Sequence, residues 1–273
     1  QLRPGVDRHQ CNPDLQATRL VSAGDKHPEL LLIDISNSRT KIAGATIEGL
    51  TDQRANLPTA ELSAKSLAEI PWAAGVKRVI LASVVPEKND TLQQIYGERL
   101  LVVSHAIELG IAIDYPQPET IGADRLANAA AVAALHGAPA VVVDFGTAVT
   151  FDIISRAGAY VGGVIAPGLE VMTDYMFQRT ALLPKIDLLE PTEIIGKSTK
   201  SAMMAGSVHG YRGMIKEILT EIYDEFGDGG SRPKAIATGG YAELISDKIQ
   251  QIDIVDPDFT LQGLRIIAGL NAN

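Results

Sequence analysis

Residues 30–41 read LLLIDISNSRTK and residues 141–152 read VVVDFGTAVTFD. Each begins as an apolar run, meets an aspartate near its end, turns through small or polar residues and starts a second short run. In the first, Asp34 precedes Ser36-Asn37-Ser38; in the second, Asp144 precedes Gly146-Thr147. Short apolar runs bounded by turn residues are the pattern of buried strands, and two such runs joined by a tight turn make a β-hairpin. Two hairpins with an aspartate at the same place, about 110 residues apart, predict two similar α/β halves.

Around these hairpins the remaining elements follow the same plan. In the first half we expect a helix around Thr59–Ala68, a buried strand over Val76–Val85 stopped by Pro86, a helix over Asp90–Tyr96 and a strand over Leu100–Val103. A Pro-containing loop (Tyr115, Pro116, Pro118) then leads into an Ala-rich helix, Asp124–Leu135, ended by Gly137-Ala138-Pro139. In the second half, strands over Thr150–Ser155 and Tyr160–Ile165 precede helices over Leu169–Arg179 and about Ser198–Phe226. The Gly227–Gly230 linker, a strand at Ala235–Ala237 running into Thr238-Gly239-Gly240, and a helix over Leu261–Leu270 close the chain. The domain reading is an N-terminal extension over 1–28, a first unit over 29–139 and a second over 140–273, with the last helix packing back on the first unit.

Composition narrows the function. The chain has 273 residues, enough for one large or two small domains, and 46% hydrophobic content supports a sizeable core. With 33 acidic against 24 basic side chains the net charge is −9, which speaks against a broad nucleic-acid surface, since phosphate backbones call for a surplus of Lys and Arg. The one cysteine, Cys11, excludes an internal disulfide framework and a multi-cysteine zinc site, and a cytoplasmic setting is expected. No run approaches the roughly 18–20 apolar residues of a membrane span, so no membrane partner is expected. The five histidines, His9, His27, His105, His136 and His209, show no metal-ligand spacing. Gly196-Lys197-Ser198 imitates the end of a P-loop, but Pro191 stands where that motif needs glycine, and no GxGxxG follows a strand.

What remains for chemistry is a set of aspartates beside glycines and hydroxyls. Asp34 and Asp144, at strand ends, either shape their turns or recruit a cation while neighbouring N–H groups and hydroxyls contact phosphate oxygens. Asp124, in Gly122-Ala123-Asp124-Arg125, is either a helix N-cap or a base for a substrate hydroxyl, with Arg125 offering charge-assisted bonds to a substrate carboxylate.

In this order the pieces resemble the type III pantothenate kinase family of the acetate and sugar kinase, Hsp70 and actin superfamily. The matching motifs are DISNSRTK (34–41), ASVVP (82–86), IGADR (121–125), VVDFGTAVTFD (142–152), GGVIAPG (162–168), GKSTKSAMMAG (196–206), ATGGYAELI (237–245) and FTLQGL (259–264). The resemblance implies two RNase H-like domains, each with a mixed five-stranded sheet, and a nucleotide cleft between them. It implies transfer of the γ-phosphoryl of ATP to the primary hydroxyl of pantothenate, the first step of coenzyme A synthesis, by a homodimer requiring Mg²⁺ and a monovalent cation, K⁺ or NH₄⁺. Asp124 matches the catalytic base, and Tyr115, Gly122, Ala123, Arg125 and Thr199 the pantothenate contacts. Asp34, Ile35, Ser36, Asn37, Ser38, Arg39, Thr40, Lys41, Thr147, Gly239 and Gly240 match the ATP side. Asp144 matches the monovalent-cation ligand, and Asp34 the Mg²⁺ site, directly or through water.

One departure stands out: Ser36-Asn37-Ser38 occupies the place where the family usually has Gly-Asn-Thr. A serine held at positive φ costs on the order of 1 kcal/mol, enough to weaken ATP binding about tenfold if it falls wholly there. It leaves open an accessory protein of the same fold with weak or no kinase activity; separately, since sequence alone does not fix the acceptor, a kinase for another small hydroxylated acid stays open.

Overall fold

The structure, a computed structural model, describes residues 27–227 and 229–272. Of the expected extension, His27 and Pro28 are described; Cys11 and His9 lie outside the described residues.

Two mixed sheets organise the chain. In the first, β1 (Leu30–Ile35), β2 (Arg39–Ala45) and β3 (Leu50–Pro58) form an antiparallel meander. β4 (Arg78–Ser83) and β5 (Leu100–Val102) add in parallel on the other side of β1, giving the order β3-β2-β1-β4-β5. The helices α1 (Ala64–Ala68) and α2 (Pro86–Tyr96) connect these strands, and α3 (Ala123–Leu135) leads to the second sheet. There β7 (Ala140–Phe145), β8 (Ala148–Ile154) and β9 (Ala159–Pro167) repeat the meander, while β10 (Lys234–Gly239) and β11 (Ile254–Val255) repeat the parallel pair. The second half also carries α4 (Leu169–Arg179), α5 (Thr199–Phe226), α6 (Ala242–Ser246) and α7 (Phe259–Leu270). The halves share one strand order, and Asp34 and Asp144 each occupy the fifth residue of a six-residue first strand.

The second sheet departs from the expected five strands. A sixth, β6 (Ala112–Ile113), pairs in parallel with β9, although it precedes residue 140. In the opposite direction, α7 packs on the first sheet: Leu261, Leu264, Ile267 and Ala268 share a core with Leu30, Leu32, Ile80 and Ala82. Three further elements were absent from the sequence reading. β3 (LTDQRANLP) is half-exposed and polar, α6 has five residues and β11 two. The helical stretch expected over 59–68 divides into a 3-10 turn at Thr59–Glu61 and α1, whose N-cap Ser63 forms a capping box with Ser66.

Strand periodicity puts the aspartates between the sheets. On β1, Leu31, Ile33 and Ile35 face outward to α1 and α2, so Leu30, Leu32 and Asp34 face inward. On β7, Val141, Val143 and Phe145 face outward to α5 and α6, so Ala140, Val142 and Asp144 face inward. The inner layer is α3 and α7. The small side chains Ala123, Ala127 and Ala130 of α3 meet the first core, and Ala129, Ala131 and Val132 meet the second.

Candidate active site

Asp34, Asp124 and Asp144 come within electrostatic reach of one another between the sheets, joined by a fourth carboxylate, Asp152 on β8. Asp34 is 6% exposed and Asp152 fully buried. Burial and the charges of Asp124 and Asp144 push the Asp34 carboxyl up to about 7, against the pull of Lys41. Burial does the same to Asp144, to about 6; Lys41 and a bond from Asn128 oppose the rise, while Asp124 and Asp152 reinforce it. Asp124 is raised by burial and then by Asp152, with the Arg125 backbone N–H and side chain pulling the other way. The four carboxyls lie within mutual electrostatic influence, and each is held above the usual carboxylate range, burial being the largest cause.

Lys41 is the nearest counter-charge from the first hairpin. It lies opposite Asp34 in the antiparallel register, and its Nζ donates to the Pro257 carbonyl at 3.5 Å. The turns of the two hairpins touch: Ser38 Oγ and Thr147 Oγ1 are hydrogen-bonded at 3.0 Å. Ser36 is held through its main chain, its N–H donating to Arg39 O and its carbonyl accepting from Thr59 Oγ1 at 2.7 Å. Ile35 belongs to the outer core and Thr40 bonds Thr59 Oγ1 there, so both can offer a nucleotide only main-chain groups. Asn37 and Arg39 are exposed beside them. At the end of β10, Gly239 has φ +93° and passes so close to Asp144 that a Cβ would stand 2.5 Å from its Oδ1. Only glycine fits there, and Gly240 follows in the turn.

On the other side of Asp124, α3 starts at Ala123 with Gly122 as N-cap, and no side chain caps it. Asp124 therefore is not the N-cap; it sits in the first turn, accepting the Arg125 N–H on Oδ1 at 2.9 Å. Arg125 Nε donates to Asp152 Oδ1 at 2.5 Å, and its guanidinium lies 5.8 Å from the Tyr160 ring centre. Tyr160 meets Tyr115 edge to face at 6.2 Å. Tyr115, Arg125 and Tyr160 thus line one flank of the aspartates with donors and aromatic surface.

Thr199 is elsewhere. It opens α5 behind a capping box formed by Ser198 and Ser201, which is what the P-loop-like Gly196-Lys197-Ser198 proves to be. It lines a cavity of about 1070 Å³ between α4 and α5, with Met172, Tyr175, Met176 and Ser207; none of the four aspartates lines it. Beside this cavity a run of apolar side chains stands in solvent, including Tyr175, Phe177, Leu182, Ile194 and Ile195, with Leu182 90% and Ile195 78% exposed.

The oxygen-only donor set around Asp34 and Asp144 fits hard cations, such as Mg²⁺ or an alkali ion. Thr238, beside Asp144 in the strand register, adds a buried hydroxyl with no hydrogen-bond partner among the described residues. Among the described residues no three His, Cys, Asp or Glu side chains converge as a ready-made metal cluster. No helix of the described residues is long and apolar enough to cross a membrane.

Comparison with known proteins identifies the family. The family model for type III pantothenate kinase matches residues 30–221. A type III pantothenate kinase from Akkermansia muciniphila is 50% identical over 241 residues, covering 88% of this chain and 98% of its own length. One from Methylacidiphilum infernorum is 44% identical over 238 residues, covering 87% of each. A solved structure from Campylobacter jejuni, described as a Baf family transcriptional activator, aligns with a TM-score of 0.56 at 21% identity, covering 89% of this chain and 99% of its own; it speaks to the fold alone. The matched motifs, the paired sheets and the identity over most of the chain have one reading: this chain belongs to the type III pantothenate kinase family.

Proposed function

We propose that the chain transfers the γ-phosphoryl group of ATP to the primary hydroxyl of pantothenate, with the two units, 29–139 and 140–273, enclosing the reactants. The observation that carries the reading is the convergence of Asp34, Asp124 and Asp144 at the ends of the two first strands and the start of α3. Asp124 is the general base: its carboxylate is a stronger proton acceptor for being buried near Asp152, and it takes the proton of the attacking hydroxyl. Arg125 binds the acceptor's carboxylate, with Tyr115, Gly122 and Ala123 shaping the pocket. Main-chain groups of residues 34–41, Thr147, Gly239 and Gly240 hold the nucleotide, and Lys41 offsets part of its charge.

Asp34 would hold Mg²⁺, directly or through water, and Asp144 a monovalent cation such as K⁺ or NH₄⁺. Bound there, the cations would supply the positive charge that an acidic cleft needs to accept the phosphates. The exposed apolar run near the α4–α5 cavity supports a homodimer in which Thr199 reaches the acceptor site of the partner subunit. A cytoplasmic setting suits a protein acting on these soluble metabolites.

The test is ADP release with ATP, Mg²⁺ and K⁺. Turnover that requires pantothenate supports the reading, and pantothenate-independent turnover refutes it. Ile195→Asp, read by sedimentation, is expected to give monomers with little kinase activity; an unaltered chain that sediments as a monomer would refute the dimer, and a fully active Ile195→Asp monomer the cross-subunit role of Thr199.

A further inference from the structure

Arg125 does not hold its position alone. Its Nε is committed to Asp152 Oδ1, and the other carboxylate oxygen, Oδ2, accepts from Asn128 Nδ2 at 3.1 Å. Asn128 lies one turn beyond Arg125 on the same face of α3 and is fully buried. Its amide oxygen in turn accepts from Thr260 Oγ1 at 2.9 Å. Thr260 is 3% exposed and comes from α7, 132 residues away. Four side chains from three elements thus form one chain of bonds from the last helix to the guanidinium.

The chemistry of the chain has a direction. A buried carboxylate paired with a guanidinium needs a donor on its second oxygen, so Asn128 must present its NH₂ to Asp152. The amide oxygen then faces α7, where only a donor can satisfy it, and the Thr260 hydroxyl does so. Without that hydroxyl the buried amide oxygen loses its partner and the amide is free to rotate, which turns an acceptor toward Asp152. The carboxylate would shift and the guanidinium with it. The passage of Arg125 is narrow as well: a Cβ on Gly163 would stand 2.5 Å from Arg125 Nη2 and 1.7 Å from the Phe151 carbonyl oxygen, so the side chain threads a gap that only glycine leaves.

We propose that Thr260 and Asn128 are positioning residues for acceptor recognition, acting through Asp152 to fix the Arg125 guanidinium for the acceptor's carboxylate. This rests on the assignment of Arg125 as the carboxylate anchor. Asn128 also bonds Asp144, so its amide faces both sides of the site, and the comparison of acceptors with and without a carboxylate isolates what passes through Arg125.

The experiment compares pantothenate with its primary-alcohol analogue, in which the carboxylate is reduced, by the ratio of their kcat/KM values. If the alcohol is not turned over, its inhibition constant against pantothenate replaces the second value. Thr260→Val, which keeps shape and removes the hydroxyl, is expected to raise the pantothenate KM and lower the ratio about fivefold, with ATP KM within about twofold. Thr260→Ser is expected to retain the wild-type ratio. If Val does not give folded protein, Thr260→Ala is read by the same ratio. Arg125→Gln is the control for the assignment itself: a ratio unchanged in that variant removes Arg125 as the anchor. If Arg125→Gln abolishes the preference while Thr260→Val leaves it intact, or slows both acceptors equally, the positioning role is overturned and the anchor stands.

Discussion

Replacing Asp124 by asparagine separates its catalytic role from its cost to the fold. The substitution keeps size and shape, and the amide oxygen can still accept the Arg125 N–H that Asp124 Oδ1 accepts at 2.9 Å. It removes the proton acceptor, which is worth about 10²–10⁴ in kcat. It also removes a negative charge from an interior that holds three more. The rise of Asp34 from 3.8 to about 7 has burial as its first cause and Asp124 as its second. That rise amounts to about 4 kcal/mol of lost stability once the pH exceeds both values. If Asp124 accounts for about 1 kcal/mol of this, its removal at pH 8 raises the melting temperature by about 2–4 °C. At pH 5 Asp34 is protonated in the folded state and the gain shrinks. The assays are ADP release under saturating substrates and thermal unfolding in cation-free buffer at both pH values. Activity within about threefold of wild type would refute the base assignment; a melting temperature that falls at pH 8 would refute the account of mutual repulsion.

The same carboxyls set a pH dependence for the unaltered protein. Because the folded-state values of Asp34 and Asp144 are raised to about 7 and about 6, the folded chain binds more protons than the unfolded one between those values and 3.8. Their contribution is therefore full below pH 4 and is lost as the pH climbs through 6 and 7. Thermal unfolding without Mg²⁺ or K⁺ should show a falling melting temperature from pH 5.5 to 8, with the salts stabilising more at pH 8; a rising profile would contradict this. Ser38→Ala breaks the Ser38–Thr147 contact between the two hairpin turns, a bond worth about 0.5–1.5 kcal/mol, and is expected to raise the ATP KM about two- to tenfold. Ser38→Thr should leave it near wild type, and an unchanged KM in the alanine variant would remove the bridge from nucleotide binding.

The parts of this molecule that were legible in its sequence are those that local physics dictates. An apolar run ended by Asp34 or Asp144 reads directly as a buried first strand, and period two then decides that the aspartate faces away from Ile33 and Ile35, or from Val143 and Phe145. The Ala-rich α3 and the capped α5 are likewise local. β3 escaped because its residues alternate between half-buried and exposed and include no long apolar stretch, and β6 because two residues carry no period. Asp152 had a faint signal, an acidic residue inside the otherwise apolar β8, and Asn128 another, a single amide in an alanine helix. What joins them to Thr260 is tertiary contact over 132 positions, which no spacing rule reaches. Thr199 was legible as a motif residue, but it lines the α4–α5 cavity, apart from the aspartates.

The placement of α7 has a consequence for the birth of the protein. The first sheet leaves the ribosome well before α7, yet the face of β1 and β4 that carries Leu30, Leu32, Ile80 and Ala82 is covered in part by Leu261, Leu264 and Ile267. Until α7 emerges, that face is covered only in part, by α3, and the growing chain must carry the rest exposed or shielded by a chaperone. The cover of the first sheet is thus completed by a segment far downstream in the chain. The same helix delivers Thr260 to Asn128, so a chain cut short before residue 259 would lack both that cover and the last link to Arg125.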